Sequence, residues 1–229
     1  MLYIVATPIG NLDDLSIRQA KTIINCEILL AEDTRSAHKI ISAIKEKFGL
    51  TSKNNQQIQS FYKENEFDLT YKALKDLEQN KDISLISESG LPLISDPGGF
   101  LVNELIKRNI KFTVIPGLTA LATALVYSGF NSKNVMFIGF LPKKNTDIKK
   151  TIKNLIEINK IRKDLTIVFY ESIHRINNTL KIFDELIPEA NVCICREMTK
   201  KFEEILRGKP KELMNKKYKG EITLVLKFN

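Results

Sequence analysis

The sequence contains no tryptophan, only two histidines and only three cysteines among its 229 residues. Neither His38 nor His174 has a second histidine or a spaced cysteine pair near it in the sequence, so we expect no metal centre. Cys26, Cys193 and Cys195 cannot all pair with one another, which favours core thiols in a reducing compartment. The scarcity of aromatic residues gives no indication of a surface on which single-stranded nucleic acid bases stack.

Long apolar runs and targeting signals are also missing. No stretch reaches the length of a membrane span, and the amino terminus has the pattern of a strand and a turn rather than a basic patch and an apolar run. The glycine fingerprint of dinucleotide-binding enzymes, Gly-x-Gly-x-x-Gly, is absent as well. We therefore expect a cytoplasmic protein of one large or two small domains.

Positive charge is abundant and unevenly distributed. The formal net charge is +8; residues 141–163 hold eight Lys or Arg against two acids, and residues 199–219 hold eight against three. Two interpretations stay open, namely solvated Lys-rich surface helices and loops, or a face that binds a polyanion. Charge alone does not decide between them.

Apolar runs of strand length alternate with helix-period segments along the whole chain, which predicts an α/β fold. In the first half the expected strands are 2–6, 28–31, 83–86 and 112–115, and the expected helices are 37–48, 65–78 and 97–107. In the second half the expected strands are 135–138, 165–170, 192–195, 203–206 and 222–228, and the expected helices are 119–127 and 176–187. Residues 51–59 are predicted to form a surface loop. The Pro116-Gly117 break predicts domains at 1–116 and 117–229.

In open α/β sheets the ligand usually lies beyond the carboxyl ends of the strands, so the residues after each apolar run are the candidates. The turn at 7–11 leaves backbone groups free for a close approach, although an ordinary turn has the same composition. In the small-residue loop at 87–92, the Glu88 carboxylate could pair with a ribose hydroxyl or a cationic group. Asp96-Pro97 instead predicts a helix N-cap followed by proline at the first helical position.

Two further strand ends carry charged residues. In the stretch 32–35, Asp33 or Thr34 is expected to cap the following helix, and Glu32 to pair with Arg35. The second charged stretch, at 169–175, contains two oppositely charged side chains as well. Capping and ion pairing are compatible with a functional role but do not require one.

Six motifs, taken together, resemble one family. They are ATPIGNL at 6–12, EDTR at 32–35, SESGLPLISDPG at 87–98, PGLTA at 116–120, GFLP at 139–142 and FYESIHR at 169–175. The family is that of the ribosomal RNA ribose 2'-O-methyltransferases that modify a cytidine in the decoding region of the small subunit, within the tetrapyrrole methylases. Any one motif would be weak, but six in order over nearly the whole chain make chance agreement improbable.

The chain departs from the family at several of these positions. The family usually has aspartate and alanine at Glu88 and Ser89, threonine at Leu91, and proline and serine at Leu118 and Thr119. These changes broadly keep size and polarity, so we expect cofactor binding to be preserved. Many relatives also extend beyond the position of Asn229, and we expect RNA contacts made by that extension to be missing from this sequence.

The resemblance implies two α/β domains of the tetrapyrrole-methylase type, with S-adenosylmethionine in the cleft between them, and a homodimer. It also implies 16S rRNA in the small ribosomal subunit as the substrate. Motif matching, together with the carboxylate chemistry of Glu88, gives the expected cofactor-binding residues as Pro8, Glu88, Ser89, Gly90, Leu91, Ile94, Thr119, Ala120, Tyr170 and Glu171.

For the reaction, we expect Glu32, Asp33 or Glu171 to orient or deprotonate the ribose hydroxyl, because these acids follow strand ends. Arg35 and Arg175 are expected to hold adjacent phosphates. Lys143 and Lys144, with the remaining basic residues of the two segments, are expected to attract RNA irrespective of its sequence.

Two other functions remain open. A methyltransferase of the same fold could act on a small tetrapyrrole precursor, although such relatives tend to have Gly-Asp-Pro where this chain has Gly90-Leu91-Pro92, and they do not characteristically carry EDTR or FYESIHR. A non-catalytic RNA-binding assembly factor is the other alternative. It would bind no cofactor, or would bind it without turnover.

Overall fold

The computed structural model describes residues 1–53 and 55–229, and the chain divides into two compact units, Met1–Thr119 and Ala120–Asn229. No helix in these described ranges is both long enough and apolar enough to cross a membrane. In the first unit the elements are β1 Leu2–Val5, the 3-10 helix Leu12–Asp14, α1 Ile17–Asn25, β2 Ile28–Ala31, α2 Thr34–Phe48, β3 Gln57–Ser60, α3 Glu66–Glu78, β4 Ile83–Ile86, α4 Gly99–Lys107 and β5 Phe112–Ile115.

The first unit is built on a parallel sheet with the strand order β3-β2-β4-β1-β5. Strands β2 and β4 are buried along their whole length, as expected for parallel strands covered on both faces. One core cluster contains Ile23 of α1 and Ile44 of α2, and the other contains Leu74 of α3 and Leu101 of α4. The sheet therefore presents the carboxyl ends of neighbouring strands at one edge.

The second unit contains a mixed sheet. Its elements are α5 Ala120–Ser128, β6 Asn134–Phe140, α6 Asn145–Ile161, β7 Leu165–Glu171, α7 Ile176–Leu186, β8 Asn191–Arg196, β9 Glu204–Gly208, α8 Pro210–Leu213 and β10 Ile222–Lys227. The strand order is β6-β7-β10-β8-β9, parallel between β6 and β7 and antiparallel in the other three pairs. Ile152 of α6 and Phe183 of α7 belong to the core cluster of this unit.

The opposite face of the second sheet lies against α5. Cys193 and Cys195 are buried there, with their Sγ atoms 3.7 Å apart, and the Cys195 Sγ lies 3.9 Å from the carbonyl oxygen of Ala124 in α5. The hydrogen bond with the Cys193 thiol, together with burial, raises the pKa of Cys195, so it stays protonated. Both cysteines are therefore core thiols.

The α/β class with two domains predicted from the sequence is confirmed. The surface loop predicted at 51–59 is wrong in part, because Gln57–Ser60 forms β3; Asn54 lies outside the described residues. The error has a physical cause. As the outermost strand of the sheet, β3 pairs only with β2 and keeps Gln57 exposed, so it lacks the apolar run of its neighbours.

Candidate active site

Loops that follow neighbouring strands of the parallel sheet converge on Gly90. The backbone N–H of Thr7 donates to the Gly90 carbonyl oxygen at 2.7 Å, and the Gly90 N–H donates to the Thr7 carbonyl oxygen at 3.2 Å. A methyl group at Gly90 would lie 3.4 Å from Ile9 Cγ2 and 3.6 Å from the Leu118 carbonyl oxygen. The loops after β1, β4 and β5 therefore meet at this glycine, whose φ of +85° favours the absence of a side chain.

Hydroxyl groups reinforce this junction. The Thr7 Oγ1 donates to the carbonyl oxygens of Ser87 and Gly90, both at 3.3 Å, and the Ser87 Oγ donates to the Gly90 carbonyl at 3.2 Å. Thr7 and Ser87 are both buried. The backbone at the junction is thus fixed by its own polar groups before any ligand binds.

Seven of the predicted cofactor-binding residues lie in the first unit around this junction or in the loops that form it. Their exposure differs: Pro8 and Gly90 are buried, Ser89, Leu91, Ile94 and Thr119 are partly buried, and Glu88 is exposed. The structure thus brings the loops after β1, β4 and β5 together around one point. The role of these residues in binding a cofactor stays a prediction.

The acids that follow β2 have different environments. Asp33 is the N-cap of α2, and its carboxylate binds Arg35 through the side-chain atoms Nε and Nη2 and the backbone N–H. The predicted Glu32–Arg35 pair is therefore wrong, because the shorter Asp33 side chain at the cap position already faces Arg35. Hydrogen bonds from Arg35 hold the pKa of Asp33 below its usual value.

The Glu32 carboxylate accepts no hydrogen bond and makes no ion pair with any residue that the structure describes. Burial, together with the negative charges of Glu88 and Asp33, raises the pKa of the Glu32 carboxyl. Glu32 is thus the acid of this loop that keeps both oxygens available.

Asp96 was expected to cap a helix, and this prediction is wrong. The helix α4 begins at Gly99, and its N-cap is Gly98 with a φ of +120°. The Oε1 atom of Glu66 in α3 accepts from the backbone N–H groups of Gly98 and Phe100, both at 2.9 Å, and so supplies the capping oxygen that Asp96 was expected to give. Asp96 is left to other interactions.

Asp96 is partly buried, and burial together with the charges of Glu32 and Glu88 raises its pKa to about 7. A hydrogen bond to Ser87 opposes this shift. Asp96 is the residue of the candidate site that the sequence reasoning missed. The signal was present, since an acid in a small-residue loop after a buried strand has the same placement as Glu88.

The predicted site residues of the second unit are bound to one another. Glu171 is fully buried as a side chain and accepts from the Ser172 N–H at 2.6 Å, the Thr179 Oγ1 at 2.6 Å and the Arg175 Nη2 at 2.8 Å. Arg175 also donates to the carbonyl oxygens of Leu141 and Pro142, both at 3.1 Å. Glu171 and Arg175 thus join the end of β7 to the start of α7 and to the GFLP loop.

The remaining predicted residues of this unit vary in exposure. Tyr170 is partly buried, and its ring makes edge contacts with Phe137 and Phe140 at centroid distances of 5.1 and 5.6 Å. Ala120 is the first residue of α5 and is also partly buried. Lys143 and Lys144 are exposed just before α6.

The comparisons with known proteins agree with this architecture. Residues 1–214 match the family described as Tetrapyrrole (Corrin/Porphyrin) Methylases. A diphthine synthase structure superposes with a TM-score of 0.70 at 13% identity, covering 100% of this chain and 90% of that one. A uroporphyrin-III-C-methyltransferase structure from Thermus thermophilus gives 0.65 at 15% identity, covering 98% and 93%. At these identities the structures show the fold alone.

Closer sequence relatives carry a more specific name. The chain is 39% identical over 229 residues to "Ribosomal RNA small subunit methyltransferase I" of Thermotoga maritima, covering 98% of this chain and 97% of that protein. It is 38% identical to the protein of the same name from Halalkalibacterium halodurans, covering 100% and 76%. The chain therefore belongs to the tetrapyrrole methylases and, within them, to the ribosomal RNA small subunit methyltransferase I family. It is a methyltransferase and needs a methyl donor.

Proposed function

We propose that this chain transfers a methyl group from S-adenosylmethionine to the ribose 2'-hydroxyl of a cytidine in the decoding region of 16S rRNA. The names of its relatives support rRNA of the small subunit as the substrate. The observation that carries the proposal is the convergence of the loops after β1, β4 and β5 at Gly90, beside a group of carboxyl side chains.

The chemistry of these side chains fits the proposed donor. When bound, S-adenosylmethionine supplies an electrophilic methyl group on a positively charged sulfur. Burial, together with repulsion from neighbouring carboxylates that include Glu88, raises the pKa values of Glu32 and Asp96, and a cationic ligand beside them would relieve that repulsion. The small residues Ser89 and Gly90 would allow a ligand to approach the backbone closely.

The proton of the ribose hydroxyl needs an acceptor at some stage of the transfer. Two of the acids expected for this role are engaged elsewhere, since Asp33 binds Arg35 and Glu171 accepts three hydrogen bonds. We assign the role to Glu32 acting with Asp96, whose raised pKa of about 7 suits proton transfer near neutral pH. Glu171 becomes a positioning residue that holds the end of β7.

The two arginines also separate in role. The Arg35 side chain is 87% exposed, so its guanidinium can reach a phosphate while it keeps its pair with Asp33. Arg175 is committed to Glu171 and to two backbone carbonyls, so we assign it to holding the GFLP loop in place rather than to phosphate binding.

The experiment that tests the proposal is transfer of labelled methyl from S-adenosylmethionine to small ribosomal subunits that lack their own modification. The labelled nucleotide is then mapped. Label on one ribose 2'-oxygen of a cytidine supports the enzyme class and the substrate together. Label on a tetrapyrrole precursor but not on subunits, or donor binding without any transfer, would contradict the proposal and favour one of the two alternatives.

A cytoplasmic homodimer is part of the same proposal. Its support is the resemblance to the family, in which the enzyme is usually a homodimer. Sedimentation equilibrium of the purified chain measures the oligomeric state directly, and a monomer at all concentrations would contradict it.

A further inference from the structure

The turn between β8 and β9, residues 197–203, presents an aromatic ring to solvent. Phe202 is 65% exposed, and the Nζ atom of Lys201 lies 5.7 Å from the centroid of its ring. A single exposed apolar side chain is common on protein surfaces and needs no explanation by itself. What distinguishes Phe202 is the way in which its turn is held.

Lys200, two residues before Phe202, is held by two carboxylates. The Nζ atom of Lys200 donates to Glu197 Oε1 at 3.0 Å and to Glu221 Oε2 at 2.9 Å. The same Glu197 oxygen accepts the backbone N–H of Glu221 at 2.9 Å. Because of these contacts the pKa of Lys200 is raised and that of Glu197 is lowered, so both stay charged at neutral pH. The turn is thereby fastened to the start of β10.

A second set of contacts fastens the other side of the turn. The Glu203 carboxylate accepts the backbone N–H of Thr199 at 2.6 Å through Oε2 and the Tyr127 hydroxyl at 2.9 Å through Oε1. The Arg207 guanidinium donates to the backbone carbonyl of Tyr127. The turn is therefore attached to the carboxyl end of α5 as well.

The backbone of the turn is strained. Glu197 and Thr199 have φ values of 51° and 66°, in the left-handed region that residues other than glycine rarely adopt. Gly220 beside them has a φ of +81°, which favours glycine, and a methyl group there would lie 2.3 Å from the Glu197 carboxyl carbon and displace that side chain. Such strain persists only when the surroundings impose it, and it is concentrated at functional sites.

The turn contains the first residues of the basic segment 199–219, which holds eight Lys or Arg against three acids. Lys201 is exposed and makes no ion pair with any described residue. A polyanion fits this charge, and an unpaired nucleobase can stack on an aromatic ring beside a lysine. A ring on a turn that is already rigid loses little conformational entropy when it binds.

We propose, building on the rRNA methyl transfer proposed above, that Phe202 stacks on an unpaired base of the RNA substrate while Lys201 meets an adjacent phosphate. The pair acts as an RNA-positioning element, separate from the acids that take part in the transfer. It would contribute affinity for unpaired RNA without selecting one base, since every base has a face for stacking.

The absence of tryptophan provides a direct test. The variant Phe202→Trp places a single indole at the proposed stacking position. We expect its fluorescence to be quenched when a small-subunit RNA fragment carrying the decoding region is added. Ile106→Trp is the matched control, since Ile106 is 58% exposed on α4, outside the turn and outside both basic segments. Unchanged emission of Phe202→Trp at saturating RNA would overturn the proposal.

Affinity supplies the second readout. Phe202→Ala should weaken binding of that RNA about 5- to 150-fold, the range for loss of one stacked base, without changing the salt dependence. Phe202→Tyr should restore binding, and Lys201→Ala should lower the salt slope by about 0.7. Ile106→Ala should bind like the wild type.

Two outcomes contradict this inference alone. If the wild type methylates RNA and Phe202→Ala binds RNA equally well, the stacking role is wrong while the methyl transfer stands. If Phe202→Ala changes the oligomeric state in sedimentation, the ring covers a second copy or a protein partner rather than a base. Absence of methylation by the wild type would instead contradict the proposed function. Methylation is measured in a separate assay from RNA binding.

Discussion

Single residues of the candidate site differ most in their charge state. Hydrogen bonds from Arg35 stabilise the charged form of Asp33, whereas Asp96 is held in a setting that disfavours its charge. A proton acceptor must be deprotonated to work, so with a pKa of about 7 the fraction of Asp96 available rises as the pH passes through that value.

We therefore predict that kcat/KM for the methyl donor, which reports the free enzyme, increases with pH through about 7 and then levels off. Glu32→Gln and Asp96→Asn should each slow the transfer by roughly 100- to 10,000-fold, the usual contribution of general base catalysis. Initial rates at subsaturating donor between pH 5.5 and 9 measure this. Glu46→Gln, on the exposed side of α2, is the control. A pH-independent rate in the wild type would rule out the assignment.

Glu171 is also a single residue of the candidate site, but its role is structural. Glu171→Ala leaves the Arg175 guanidinium, the Ser172 N–H and the Thr179 hydroxyl without their acceptor in a buried setting. We predict a loss of about 3–5 kcal/mol in the free energy of unfolding, measured by urea denaturation.

The conservative change separates structure from chemistry. Glu171→Gln keeps one acceptor oxygen, so it should lose less stability than Glu171→Ala and retain most of the transfer rate. A Glu171→Gln variant that is stable but inactive would indicate that Glu171 orients or deprotonates the ribose hydroxyl.

Among the elements, α6 carries both a core face and a basic face. Ile148, Ile152 and Leu155 are buried, whereas the lysines of the opposite side are exposed. Two lysines of α6 form ion pairs, Lys149 with Glu185 of α7 and Lys160 with Glu157, both at 2.7 Å.

This arrangement predicts two separable effects. Replacing Lys143, Lys144, Lys150 and Lys153 by alanine should lower the salt slope of RNA binding by about 3 and leave stability nearly unchanged. Ile152→Ala should cost about 2–5 kcal/mol of stability and leave the salt slope as it is. Filter binding from 50 to 300 mM salt, with thermal unfolding in parallel, measures both. If the salt dependence of RNA binding were unchanged in the lysine variant, the basic segment would be a solvated surface that does not bind RNA.

Most elements follow from the sequence because each central strand is one apolar run between turns. The elements that were missed have other origins. The helix α1 starts with a Ser16–Gln19 capping box, a signal present in the sequence but easily overlooked beside the 3-10 helix. The edge strand β3 lacks the apolar run by which the other strands were predicted.

The site was harder to predict for a related reason. Glu66 precedes Gly98 by 32 residues, yet its carboxylate replaces the cap that Asp96 was expected to provide. Sequence reasoning assigns a cap from local spacing, whereas here the capping oxygen comes from another helix. Because Glu66 caps α4, Asp96 is not needed as its cap. No local sequence pattern shows this long-range contact.

At the scale of the whole molecule, ligand binding and stability are linked. If the chain binds S-adenosylmethionine, the donor at about 100 times its dissociation constant should raise the free energy of unfolding by about 2.7 kcal/mol. For a chain of this size that corresponds to about 5–11 °C in melting temperature. Differential scanning fluorimetry with and without the donor measures it. No shift would favour the assembly factor that binds no cofactor.

The position of β1 in its sheet has a consequence for synthesis. Residues Leu2–Val5 are made first, yet they pair with Ile83–Ile86 on one side and Phe112–Ile115 on the other. At about 5–20 residues per second, the segment waits roughly 4–16 s for its first neighbour. During that interval its backbone groups and apolar side chains lack their native partners, so the nascent amino terminus is where protection by the ribosome surface or a chaperone matters most.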